Sequence, residues 1–94
     1  MAILVATVKV KDPEKFQQYA ASVPATMEPF GGKLLGRGKV EKGIDGDVSF
    51  HAAAMFEFPD AESIDNWHHS AEYQKIVPLR LEAADMELAV LGSI

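Results

Sequence analysis

The stretch WHHSAEYQKIVPLR, residues 67–80, holds His68, His69, Ser70, Tyr73 and Arg80, most of the side chains in this chain that could do chemistry. Arg80 is the most demanding of them. Tyr73, Ile76, Val77, Arg80 and Ala84 fall on one helical stripe. A guanidinium in the middle of that stripe needs water, a carboxylate or a bound anion, because a buried unpaired charge is very costly. Glu57 and Asp60 are the carboxylates considered as its partners, and Pro78 is expected to distort the helix and free a carbonyl for it. A second polar set sits on strands. Arg37 and His51 fall on one face of neighbouring strands, with Glu57 further along. Such a patch could orient an anionic or enolic ligand, with His51 exchanging protons near neutral pH. It reads equally as a set of interface ion pairs with no ligand, and a one-residue bulge would separate its members.

Other chemistries find less support. His68 and His69 are adjacent, so on a helix they point about 100° apart, and no H-E-x-x-H is present. A metal site is not expected. Ser22, Ser49, Ser63, Ser70 and Ser93 have no nucleophile-elbow context. FGGKLLGRG lacks the spacings of phosphate-binding loops, and DGD does not match a calcium loop. Cysteine is absent, which excludes a thiolate nucleophile, a disulfide framework and a Cys-based zinc site.

The elements that must position these groups follow from pattern. AILVATVKV reads as a strand ending at Asp12-Pro13. Asp12 can cap a helix with Pro13 at its first position. Phe16, Tyr19, Ala20 and Val23 recur at helical spacing, Pro24 kinks or restarts the helix, and Gly31-Gly32 ends it. KLLGRGKVE and SFHAAAMFEF are the second and third strands, joined by a loop with an Asp-Gly turn signal. Asp60 can cap a second helix carrying Ile64, Trp67 and His68, and Ser70 a further helical segment to about Ala84. MELAVLGSI is the last strand. The order βαββαβ predicts an α+β, ferredoxin-like sandwich with an antiparallel four-stranded sheet, in a single domain over residues 1–94.

Strand alternation divides that sheet into two faces. Leu4, Ala6, Val8 and Val10, then Leu34, Gly36, Gly38 and Val40, then Phe50, Ala52, Ala54, Phe56 and Phe58, and last Met86, Leu88 and Val90 should meet the helices. Ile3, Val5, Thr7, Leu35, Arg37, His51, Ala53, Met55, Glu57, Ala89 and Leu91 should lie on the other face. That second face is largely apolar, yet both helices are used on the first. A second copy of the same sheet is the simplest cover.

With DPEKFQQYAASVPAT, FGGKLLGRG, FEFPDAES, a tryptophan before SAEYQKIVPLR and a short apolar final strand, in that order over essentially the whole chain, the sequence resembles the dimeric α/β-barrel superfamily. Within it the resemblance is to a small uncharacterised family, domain of unknown function thirteen-thirty. The resemblance implies a ferredoxin-like protomer and a homodimer whose sheets pack into a barrel, with no activity to carry over. Superfamily relatives include cofactor-independent monooxygenases, lactone isomerases and haem-degrading enzymes, a breadth that warns against inferring function from fold. Haem-degrading relatives use a histidine from the helical region of His68, but their wider pattern is not present.

The functional expectation is a small-molecule pocket in each protomer of a homodimer. Ala6, Gly36, Gly38, Ala52 and Ala54 leave room for it between helices and sheet. Trp67, His68, Tyr73 and Arg80 form its helical wall, and Arg37, His51 and Glu57 complete the candidate set. An oxygenase- or isomerase-like site would hold an enolate-like or anionic substrate while excluding water, with no cofactor. The alternative is a non-catalytic dimeric module, in which aromatic side chains fill the space beside those small residues. The net charge of −5 and the third strand's lack of stacking aromatics argue against nucleic acid. The opening apolar run is too short to span a bilayer and lacks a basic flank, so a cytoplasmic protein without membrane contact is expected.

Overall fold

Three side-chain caps set the helix starts. Asp12 accepts a hydrogen bond from the Lys15 amide at 3.2 Å, and Asp60 accepts from the Ser63 amide at 2.8 Å. Ser70 accepts from the Tyr73 amide at 3.3 Å. Each satisfies an amide that has no partner within its own helix. The bonds from Ser63 also hold the Asp60 carboxyl below its ordinary range. The structure, a computed structural model, describes residues 1–92. Ser93 and Ile94, the end of the expected last strand, lie outside the described residues.

The chain runs β1 (Ala2–Val10), α1 (Pro13–Met27), a 3-10 turn (Glu28–Phe30), β2 (Lys33–Lys39), β3 (Ala52–Phe58), α2 (Ala61–His69), α3 (Ala71–Ala83) and β4 (Ala84–Leu91). The helical region after β3 is divided at Ser70, whose backbone is extended. Pro24 does not break α1, which continues to Met27. The chain then stops at Gly31, whose φ of 77° is open to glycine at little cost. The strands form one antiparallel sheet in the order β2-β3-β1-β4, the ferredoxin-like arrangement expected from the element order.

Helices cover one face. Along β1, Ala2, Leu4, Ala6 and Val8 are buried on it, while Ile3, Val5 and Thr7 on the reverse face are half-buried. The largest fully buried side chains are Trp67, Tyr73 and Phe58. On the reverse face Met55 is 41% exposed and Leu91 47%.

The expected facing of β2 is corrected by its pairing. Lys33 stands opposite Glu57 and Leu34 opposite Phe56, but Gly36 then stands opposite Met55 and Arg37 opposite Ala54. An extra residue, Leu35, is accommodated in β2 as a bulge. Because side chains alternate, one extra residue inverts everything beyond it. Gly36 and Gly38 therefore share the reverse face with Met55 and Ala53. Arg37 and Lys39 share the helix side with Ala54 and Ala52.

Candidate functional site

Between α1 and the sheet lies a partly open cavity of about 460 Å³. Its floor is laid by small side chains on the central strands, Ala6 on β1 and Ala52 and Ala54 on β3. Its roof is the sheet-facing stripe of α1, including Phe16, Tyr19 and Val23. Trp67 closes one wall, and Arg37 and Lys39 are the charged residues that line it. The cavity exists because α1 is held off the sheet by large residues at the margins while alanine occupies the middle. Interiors this size otherwise hold few voids larger than a water molecule.

Behind the cavity the aromatic groups are tied together by polar bonds. The Tyr19 and Tyr73 hydroxyls are 2.8 Å apart, and the Arg80 guanidinium donates to the Tyr73 hydroxyl at 2.9 Å. The Trp67 indole N–H donates to the Thr26 hydroxyl at 3.0 Å, and that hydroxyl donates to the Val23 carbonyl at 2.6 Å. Tyr73 packs on Trp67 with ring centres 4.2 Å apart. Burial, followed by the neighbouring Tyr73, pushes the Tyr19 phenol well above its usual range. The phenol therefore stays protonated at any ordinary pH.

His68 is half-buried beside Tyr73, with ring centres 5.6 Å apart. Partial burial, then the nearby His69 and Arg80, holds its imidazole below the ordinary histidine range. His69 is exposed, and its Nδ1 lies 2.8 Å from the Asp65 carbonyl. The two imidazole rings lie edge to face, with centres 5.4 Å apart. Among the described residues no group of three or more His, Asp or Glu side chains gathers in a way that could hold a metal ion.

The candidate residues separate into three places. Arg37 and Trp67 line the cavity. His68, Tyr73 and Arg80 are not among its lining residues, whereas Tyr19, whose ring centre is 6.4 Å from that of Tyr73, is. Glu57 is on the reverse face, opposite Lys33 and Ile3. His51 is exposed, and its Nδ1 accepts a hydrogen bond from the Val10 amide at 2.9 Å, which ties the end of β1. The expected grouping of Arg37, His51 and Glu57 therefore does not form, because the bulge turns Arg37 to the helix side. Arg80 takes neither Glu57 nor Asp60; its partner is the Tyr73 hydroxyl. Sequence reasoning missed Lys39, which the same bulge brings to the cavity. It also missed the partnership of Tyr19 with Tyr73. The helical phase turned both tyrosines inward, but nothing in the spacing within either helix reports a contact between helices.

A family model described as a domain of unknown function (DUF1330) matches residues 1–94. No curated protein matches the chain by sequence. Among solved structures, a protein of unknown function from Rhodopseudomonas palustris is 19% identical, with a TM-score of 0.84 over 99% of this chain and 82% of that one. A cofactor-independent oxygenase from Streptomyces nogalater is 14% identical, with a TM-score of 0.67 over 99% and 92% of the two chains. A protein of unknown function from Bacteroides fragilis, described as dimeric and ferredoxin-like, is 12% identical, with a TM-score of 0.60 over 96% and 93%. At these identities the likeness shows the shared fold.

Proposed function

Since the chain belongs to the family described as domain of unknown function (DUF1330), whose description names no reaction, we propose a function from the geometry. The protein is a homodimer in which each protomer binds a small, largely apolar molecule between α1 and the sheet. The observation that carries this reading is the cavity itself. Its volume, about 460 Å³, lies in the range of small-molecule sites, roughly 300–1,000 Å³. A module that only paired would fill the space above Ala6, Ala52 and Ala54, because an empty apolar cavity destabilises a fold.

Pairing is supported by the reverse face of the sheet, where half-exposed Met55 and Leu91 flank half-buried Val5. Among the described residues no helix lies over that face, and the Bacteroides fragilis neighbour is described as dimeric. Light scattering at micromolar concentration should give a dimer mass. Met55→Glu would bury a charge between the sheets and should dissociate or unfold the protein. A monomeric wild type overturns the pairing.

Ligand binding is tested with phenylnaphthylamine, an uncharged dye that fluoresces in apolar surroundings. Trp67 is the single tryptophan and lines the cavity, so its emission should be quenched as the dye enters. Ala54→Phe should fill the cavity, abolish the binding and leave a folded protein. Dye uptake unchanged in that variant removes this site from consideration.

Oxygenase- or isomerase-like chemistry on the bound molecule is the second reading, and Tyr19 is the observation that favours it. Tyr73 is fully buried and accepts from Arg80. Its own proton is satisfied if it donates to Tyr19. Tyr19, at the cavity wall, then has a proton left for the oxygen of an enolate-like ligand. A Tyr19→Phe variant that retains binding and loses turnover distinguishes catalysis from binding alone.

A further inference from the structure

The charge distribution around the cavity runs against that of the chain. The protein carries 14 acidic and 9 basic residues, yet the charged side chains lining the cavity, Arg37 and Lys39, are both cations. They stand opposite Ala54 and Ala52 on the helix side of an edge strand. Residues two apart on a strand project in the same direction about 6–7 Å from each other, a separation that one oxyanion group can bridge. Neither has an intramolecular ion partner among the described residues. The ion pairs found there are Lys11–Asp85, Lys15–Glu82 and Lys75–Glu72. Among the described residues no carboxylate lines the cavity to neutralise them.

Charges on an edge strand also deter unwanted sheet pairing. That role is indifferent to which face of the strand they occupy. Here the bulge after Leu34 turns both cations to the one side of β2 that borders an apolar hollow, while Lys33, before the bulge, remains on the other side.

We propose that the cavity takes an amphipathic organic anion. Its apolar body lies between α1 and the alanine floor, and its carboxylate, sulfonate or phosphate group sits at the rim between Arg37 and Lys39. This rests on the binding reading above and names the ligand class for the same site. The guanidinium supplies paired donors to an oxyanion and the ammonium a second positive charge. Both are exposed at the rim, so the head group keeps much of its water and only the body is desolvated.

Two dyes with the same ring system test it. Anilinonaphthalene sulfonate is phenylnaphthylamine with a sulfonate added. The sulfonate should bind the wild type about tenfold more tightly, a difference of roughly 1.4 kcal/mol, and should lose that advantage at high salt. In the Arg37→Gln, Lys39→Gln double variant the two dyes should bind alike, with the affinity for the neutral dye unchanged. Equal affinities in the wild type overturn the anion assignment and leave the binding site standing, as does a sulfonate preference that survives in the double variant. Failure of both dyes to bind overturns the binding reading and this assignment together.

Discussion

The helix side of the sheet contains a solid region and a hollow one, separated by a few ångströms. In the solid region Phe58, Trp67 and Tyr73 interlock, with the Phe58 and Trp67 rings 5.9 Å apart and the Trp67 and Tyr73 rings 4.2 Å apart. In the hollow region the same layers of helix and sheet face each other over Ala6, Ala52 and Ala54. The backbone architecture is common to both. The difference lies in side-chain volume at a few central strand positions, and in the polar bonds that pin the large residues. Trp67 belongs to both regions, since it packs in the knot and forms a wall of the cavity. The hollow is therefore bounded on one side by the largest fully buried side chains of the molecule.

The largest expected effect comes from breaking that shared wall. Trp67→Ala should cost about 3–5 kcal/mol, measured by urea unfolding, and should also blunt dye binding. A loss below about 1 kcal/mol would mean that the knot is not what frames the hollow. Next is a matched pair of insertions. Ala2 is buried in the cluster that holds Phe58, Trp67 and Tyr73, so Ala2→Leu should destabilise by about 1–3 kcal/mol through overpacking. Ala54→Leu points into the hollow and should be neutral or stabilising. Equal penalties in thermal melts would erase the distinction between the two regions.

A smaller effect is expected for the polar pins. Arg80→Ala strips the Tyr73 hydroxyl of a donor and loses packing of a half-buried side chain, which should cost about 1–2 kcal/mol. His69→Ala, at an exposed position, should change stability by no more than about 0.5 kcal/mol. Equal melting temperatures would show that the pins do not hold the solid region. Smallest is a pH effect at its border. His68 is held below the ordinary histidine range in the folded chain, so the unfolded chain takes up its proton first as pH falls. The stabilisation is present above the unfolded-state value near 6.5 and is lost as pH drops through it toward the folded value. Thermal melts at pH 5 and 7.5 should show a slightly larger acid loss for wild type than for His68→Gln. The opposite order would contradict the environment assigned to this ring.

Much of this architecture is legible in the residues. The caps Asp12, Asp60 and Ser70, the stop at Gly31 and the alternation along β1 are local signals, and each is read from its immediate neighbours. Ala6, Ala52 and Ala54 stand out as small residues on a face otherwise made of large ones, so the room between helix and sheet is legible too. The bulge is not. Gly36 and Gly38 alternate with Leu35 and Arg37 as if the strand were regular. Among the described residues the left-handed glycines are Gly31 and Gly46, and no residue of another type has a positive φ. No special residue type is therefore required at Leu35 to mark the irregularity. The pairing with β3 decides it, and pairing is a property of two segments. The same holds for the Tyr19–Tyr73–Arg80 chain. Arg80 was recognisable as a group in need of a partner, but the partner's hydroxyl is itself held by a helix 54 residues earlier in the chain.

The extra residue in β2 works as a frameshift does in a message. Were Leu35 paired with Met55 in an unbroken ladder instead of bulged, every position from Gly36 to Lys39 would change face. Glycines would then border the hollow, and two cations would stand on the open side of the sheet, where they would repel a like surface. The register of one strand pair thus determines both what the interior could recognise and how the exterior could associate. The two properties would be gained or lost together.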